Sequence, residues 1–74
     1  MQYQDRITSS QEVLLGKPVI RGTRIAVEII LRKLSEGMSV EEISAAYPGL
    51  KREDIFACLS YSADVISKEE IIAG

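Results

Sequence analysis

Seventy-four residues are enough for one small hydrophobic core and not for two, because a chain of this size buries only roughly 60% of its unfolded surface. At 46% hydrophobic and 27% charged, with no apolar run near the roughly 18 residues of a membrane span, it reads as a globular, non-membrane chain. Histidine is absent and there is one cysteine, Cys58, which excludes His-ligated metal sites, Ser-His-Asp and Cys-His nucleophiles, and an internal disulfide.

The expectation is therefore a protein that is not an enzyme, with no cofactor and no metal. Its N-terminus lacks the basic-then-apolar order of a signal peptide, so a cytoplasmic location is expected. The net charge is −2, but it is divided. Residues 1–35 carry six cations against three acids, and residues 36–74 carry three against eight. A halved chain of this kind can offer a basic face to nucleic acid or an acidic face to a basic partner. A globally anionic chain is expected to bind DNA weakly by itself.

From Arg6 to Ile25 the sequence is punctuated rather than periodic. Pro18 fixes its own φ and moves Lys17 out of the helical region, while Val19 and Ile20 are β-branched and stiff. Gly16 and Gly22 can supply positive φ. Short extended pieces are expected, with Val19-Ile20 and Arg24-Ile25 either paired as a tiny ribbon or packed as two arms.

The period then becomes helical. Val27, Ile30, Leu31 and Leu34 mark one face of a first helix over about 26–36, with Glu28 four residues before Arg32 and Gly37 placed to end it. Ser39-Val40-Glu41-Glu42 spells a capping box for a second helix, which Pro48 confines to about two turns with Val40, Ile43 and Ala46 or Tyr47 inward. A third helix is expected over about 52–65, with Glu53 and Asp54 in its first turn and Ile55, Cys58, Leu59, Ser62 and Ile66 on one stripe. Ser67-Lys68-Glu69-Glu70 repeats the capping spelling, so a last helical turn is expected before the C-terminus. The fold class is mainly α: a tri-helical, helix-turn-helix-like bundle with a short extended or β N-terminal arm. It forms a single domain over 1–74, with the arm at 1–25, the three-helix unit at 26–66 and a C-terminal turn at 67–74.

Two constellations carry functional expectations. In a helix-turn-helix unit the start of the third helix meets the major groove, which nominates Lys51, Arg52 and Glu53, with Ala57 further along. The opening Lys51-Arg52-Glu53-Asp54 is neutral, so it brings no electrostatic affinity. The second constellation is Gly16-Lys17-Pro18-Val19-Ile20-Arg21-Gly22-Thr23-Arg24-Ile25. Its Lys17, Arg21, Thr23 and Arg24 could contact DNA or a protein partner through two guanidinium forks. Equally, Arg21 and Arg24 could fasten the arm to Glu36, Glu41 or Glu42. Cys58 is expected to be an inert core thiol, and the paired acids to serve helix starts.

These blocks, with Glu36-Gly37-Met38-Ser39-Val40-Glu41-Glu42-Ile43, Tyr47-Pro48-Gly49-Leu50 and Glu53-Asp54-Ile55 followed by Ala57, Leu59 and Tyr61, resemble the bacterial and archaeal domain-of-unknown-function family 433, whose members look like antitoxins of the VapB type. The resemblance implies a helix-turn-helix-like fold, a homodimer, and a PIN-like ribonuclease toxin as partner, with operator DNA bound by the pair. The chain departs from the family pattern at Ser9-Ser10-Gln11 and at Lys51, where members carry a serine or threonine cap. Excess apolar surface on so small a core also favours a homodimer through helix three or the N-terminal arm. The other reading is a homodimeric protein-interaction module with no nucleic-acid binding.

Overall fold

The computed structural model describes residues 3–68. In chain order it holds strand β1 (Ile7–Thr8), a tight turn at Leu14–Gly16, strand β2 (Val19–Ile20), and helices α1 (Val27–Ser35), α2 (Val40–Ala46) and α3 (Arg52–Ser67). The mainly helical, three-helix fold with a small β arm is the one expected from the sequence.

The arm differs from expectation in its pairing. β2 lies antiparallel to β1, with Ile7 opposite Ile20 and Thr8 opposite Val19. On its other side β2 meets the 25–26 segment, where the Ile20 amide donates to the Ile25 carbonyl at 3.0 Å and Val19 bridges Ala26. The ribbon inferred within the strap therefore exists only as this flank, and the strand partner comes from eleven residues upstream of Val19. Gly22, at φ 81°, makes the turn between the two segments, a conformation that glycine adopts without steric cost. The Thr23 amide closes that turn on the Ile20 carbonyl at 3.0 Å.

α1 ends as its sequence predicts. Gly37, at φ 99°, sends its amide to Leu34 (3.0 Å) while Met38 reaches Lys33 (3.1 Å), the paired bonds of a Schellman motif. α2 starts on the expected capping box: the Glu42 amide donates to Ser39 Oγ at 3.1 Å, and the Ser39 amide to Glu42 Oε1 at 2.9 Å. Those bonds hold the Glu42 carboxyl below its usual pKa. The alternative at its end resolves to Tyr47, which packs against the core, whereas Ala46 is exposed.

α3 lacks a side-chain acceptor at Lys51, and Asp54 compensates. Its Oδ2 accepts the Lys51 amide at 2.9 Å, and its Oδ1 accepts Arg6 Nη1 at 2.9 Å. α3 runs on to Ser67, whose Oγ donates back to the Asp64 carbonyl at 2.7 Å. Ser67 is thus the last residue of α3. The rest of the expected C-terminal turn, residues 69–74, lies outside the described residues.

The core is Ile7, Ile20, Val27, Ile30, Ile43, Leu50, Ile55, Ala57 and Cys58, drawn from both strands, all three helices and the connection before α3. Burial raises the Cys58 thiol to about 12, with the Asp54 charge adding to it, so the core thiol is unreactive as expected. The predicted α3 stripe needs correction: Leu59 and Ile66 are 42% and 55% exposed. The inward positions are instead Asp54, Ile55, Ala57 and Cys58, with Tyr61 packed against them. Tyr61 meets Tyr3 edge to face, centroids 5.3 Å apart. Tyr3 in turn donates to Asp64 Oδ2 at 2.8 Å, which also holds Lys68 at 3.1 Å. The arm is thus laid along α3 at both ends, by Arg6 and by Tyr3.

Candidate partner-binding groove

The nominated cations separate into those used by the chain and those it leaves open. Arg21 Nε donates to the Asp5 carbonyl at 3.1 Å, and its Nη2 to the Gln4 carbonyl at 3.3 Å. It fastens the arm, as the second alternative supposed, but to backbone rather than to Glu36, Glu41 or Glu42. Thr23 is spent on its own turn: Oγ1 donates to the Ile20 carbonyl at 2.7 Å and accepts from the Ile25 amide at 3.0 Å. Lys17 Nζ pairs with Glu28 Oε1 at 2.7 Å, and that hydrogen bond lowers the Glu28 pKa. The expected Glu28–Arg32 pair is present only at 3.9 Å. Arg24 is exposed and makes no ion pair among the described residues.

At the start of α3, Lys51 and Arg52 are exposed, and the Arg52 guanidinium lies 5.8 Å from the Phe56 ring centre. Ala57, nominated for a groove contact, is fully buried and cannot meet DNA. Paired acids do serve helix starts, as Glu42 and Asp54 show.

Arg24 belongs to a feature that periodicity did not reveal. A groove of about 660 Å³ is lined by Leu14, Leu15, Ile25, Ala26, Ile29 and Tyr47, together with Lys17, Arg24 and Glu28. It combines an apolar bed with two cations and one carboxylate, the last already engaged by Lys17. Leu14 and Leu15 shape one side of it, and both have positive φ, 49° and 56°, followed by Gly16 at 87°. Left-handed backbone at a branched residue costs about 1–2 kcal/mol, and it persists where surrounding structure enforces it, commonly at functional sites. Here the enforcing bonds are Gly16 amide to Val13 carbonyl, 3.1 Å, and Lys17 amide to Leu14 carbonyl, 3.2 Å. The result holds Leu15 85% exposed. The readable signal was an apolar pair placed directly before Gly-Lys-Pro, where a turn leaves neither leucine a core to enter. Arg6 was also missed as a positioning residue, since its partner Asp54 lies 48 residues away.

A small three-helix domain with a β-ribbon arm, and with no cluster of three potential metal ligands among the described residues, is the class that the geometry defines. Residues 7–62 match the family described as "Protein of unknown function (DUF433)", and the chain belongs to that family. A crystal structure of a DUF433 member protein from Anabaena variabilis ATCC 29413 superposes with a TM-score of 0.80 at 32% identity, covering 88% of this chain and 64% of that one. The uncharacterized protein y4eO of Sinorhizobium fredii (strain NBRC 101917 / NGR234) is 43% identical over 49 residues, which are 66% of this chain and 22% of that protein. The chain thus spans about a fifth of its curated relative and under two thirds of the solved one. No helix among the described residues is long and apolar enough to cross a membrane.

Proposed function

We propose that this chain is a non-enzymatic protein-interaction module that receives an apolar segment of a partner protein in the Leu14–Leu15 groove, with Arg24 meeting an acidic group of that segment. The observation that carries the reading is the strained turn that holds Leu15 in solvent. A fold gains nothing from exposing a leucine at positive φ, whereas a partner that buries it recovers about 2 kcal/mol. Arg24 beside it, without an ion pair among the described residues, supplies an exposed fork for a carboxylate.

The antitoxin-type reading gives this module a partner class, a PIN-like ribonuclease toxin. It rests on the family resemblance, with the groove as the receiving surface. Operator DNA enters as a second contact, supported by Lys51 and Arg52 standing together at the start of α3. That contact is weak for the chain alone, because Glu53 and Asp54 follow at once and offset both cations.

The test is titration of the chain against a PIN-like ribonuclease encoded by a neighbouring gene. Leu15→Asn, which suits left-handed backbone and removes the apolar contact, should weaken binding at least about 30-fold, as loss of a central interface anchor does. Arg24→Ala should weaken it less, and Arg21→Ala should lower stability instead. Equal affinity for wild type and Leu15→Asn would overturn the groove assignment. A salt-dependent mobility shift of the chain's upstream DNA, with and without the partner, separates the antitoxin-type regulator from the module that binds no nucleic acid.

A further inference from the structure

The β ribbon has two edges, and the chain closes one of them. On the outer side of β1 the Ile7 amide donates to the Tyr3 carbonyl at 2.9 Å, so the turn before β1 covers that edge. The opposite edge is the segment 24–26, which flanks β2. There the Ile20 amide donates to the Ile25 carbonyl and the Val27 amide to the Pro18 carbonyl, both at 3.0 Å, on either side of the Val19–Ala26 bridge. In an antiparallel bridge held by bonds from its neighbours, the bridged residues point their own amides away from each other. Ala26, extended at φ −71° and ψ 142°, therefore turns its N–H away from β2. That N–H has no acceptor among the described residues, and the N–H and carbonyl of Arg24 have no partner there either. Ala26 is only 6% exposed, a setting in which a backbone amide is normally paired, and Arg24 and Ala26 both line the Leu14–Leu15 groove.

We infer that the groove takes an extended, acidic segment of the partner protein, which adds to the Arg24–Ala26 edge as a further strand of the ribbon and accepts the Ala26 amide. The inference rests on the groove reading proposed above and names the conformation and charge of what the groove receives. Backbone decides the conformation. A helix satisfies its own carbonyls, so a helix laid in the groove would cover the Ala26 amide without pairing it, whereas a strand brings a carbonyl to it. Alternate side chains of that strand face one way and enter the apolar bed of Leu15, Ile29 and Tyr47. Charge decides the acid. Glu28 already meets Lys17 at 2.7 Å, which leaves Arg24 as the groove's unmatched charge, and a carboxylate on the neighbouring strand is its cross-strand complement.

The test uses the full chain and the PIN-like ribonuclease encoded by a neighbouring gene. Ala26→Pro deletes the N–H at a φ that proline adopts, with an extended residue before it as proline requires, and it should melt no lower than wild type. Its affinity for the ribonuclease should fall at least about 10-fold, as expected when a buried carbonyl loses its donor. Amide hydrogen exchange on the unaltered chain gives a second measurement that does not depend on how the variant folds. The Ala26 amide should exchange fast in the free chain and at least about 100-fold more slowly in the complex, while the Val27 amide, already bonded to Pro18, is protected in both. Undiminished binding by folded Ala26→Pro, or equally fast exchange at Ala26 in the complex, would overturn strand addition. If Leu15→Asn weakens binding while Ala26→Pro does not, the groove stands and its occupant is not a strand. A ribonuclease that does not bind the unaltered chain at all would overturn both readings.

Discussion

Removing the Asp54 carboxylate should be among the costliest single changes to this chain that leave its apolar core untouched. Asp54 accepts the Lys51 amide and Arg6 Nη1, both at 2.9 Å, with its side chain 12% exposed and that of Arg6 35% exposed. Asp54→Ala loses the cap, worth about 1 kcal/mol, and a favourable charge in the first turn of α3, worth about 0.5 kcal/mol. It also loses an ion pair that is better sheltered than a surface pair, at about 1 kcal/mol. Arg6 keeps enough exposure to rehydrate, so the larger penalty of a stranded buried cation does not arise. The expected cost is about 2–3 kcal/mol, a large part of the roughly 4–11 kcal/mol typical of this length, and a fall in Tm of about 10–20 °C. Asp54→Asn keeps a carbonyl for the Lys51 amide and should lose about half as much. Urea titrations of wild type, Asp54→Ala, Arg6→Ala and the double variant should give a coupling of about 1 kcal/mol. Independent, additive losses, or an Asp54→Ala cost below about 0.5 kcal/mol, would refute the assignment of Asp54 as the joint between arm and helix.

Other outcomes follow from the same packing. Leu15→Asn should raise stability by about 0.5–1 kcal/mol by relieving left-handed strain, seen as a higher urea midpoint, while it weakens partner binding. Ile30→Ala, at a fully buried site, should cost about 2–5 kcal/mol through the cavity it leaves, measured in the same melts. The Tyr3 hydroxyl and then Lys68 hold the Asp64 carboxyl below its ordinary 3.8, and the Asp64 bond raises Tyr3 above 10.0. The stabilisation from Asp64 is therefore full above its ordinary pKa and lost as pH falls through the lowered one. That from Tyr3 is full below 10.0 and lost as pH rises through the raised value. The difference in Tm between wild type and Tyr3→Phe should accordingly vanish at both ends of the pH range and persist between them. Cys58 should resist a thiol reagent in the native chain at pH 8, and react at the rate of unfolding once urea is added; immediate labelling would contradict its burial.

The helices were legible because their signals are local. Ser39 and Glu42 lie within one turn, Gly37 follows its helix directly, and Pro48 stops α2 where the ring forbids continuation. The candidate site was legible only in part. Lys17, Arg21, Thr23 and Arg24 were found as a cationic, glycine-flanked cluster, yet composition assigns no partner to a side chain. Three of the four are engaged inside the chain, Lys17 while lining the groove beside Arg24, and Arg24 alone of them makes no ion pair or side-chain hydrogen bond among the described residues. The stripe of α3 was misread for a related reason: two apolar faces on one helix look like a single broad one until the fold shows which of them the other elements cover.

The sequence by itself determined where the helices begin and where α1 and α2 end, and that the core draws on Val27, Ile30, Ile43, Ile55 and Cys58. Those are matters of backbone sterics, capping and composition, which act over a few residues. Tertiary structure alone decided that Ile7–Thr8 is the partner of β2, that Arg6 crosses 48 residues to complete the start of α3, and that Leu15 and the outer face of α3 remain in solvent. Each of these depends on which surfaces the folded elements leave uncovered, and pairing between distant segments is set by the sum of all contacts rather than by any one stretch of chain.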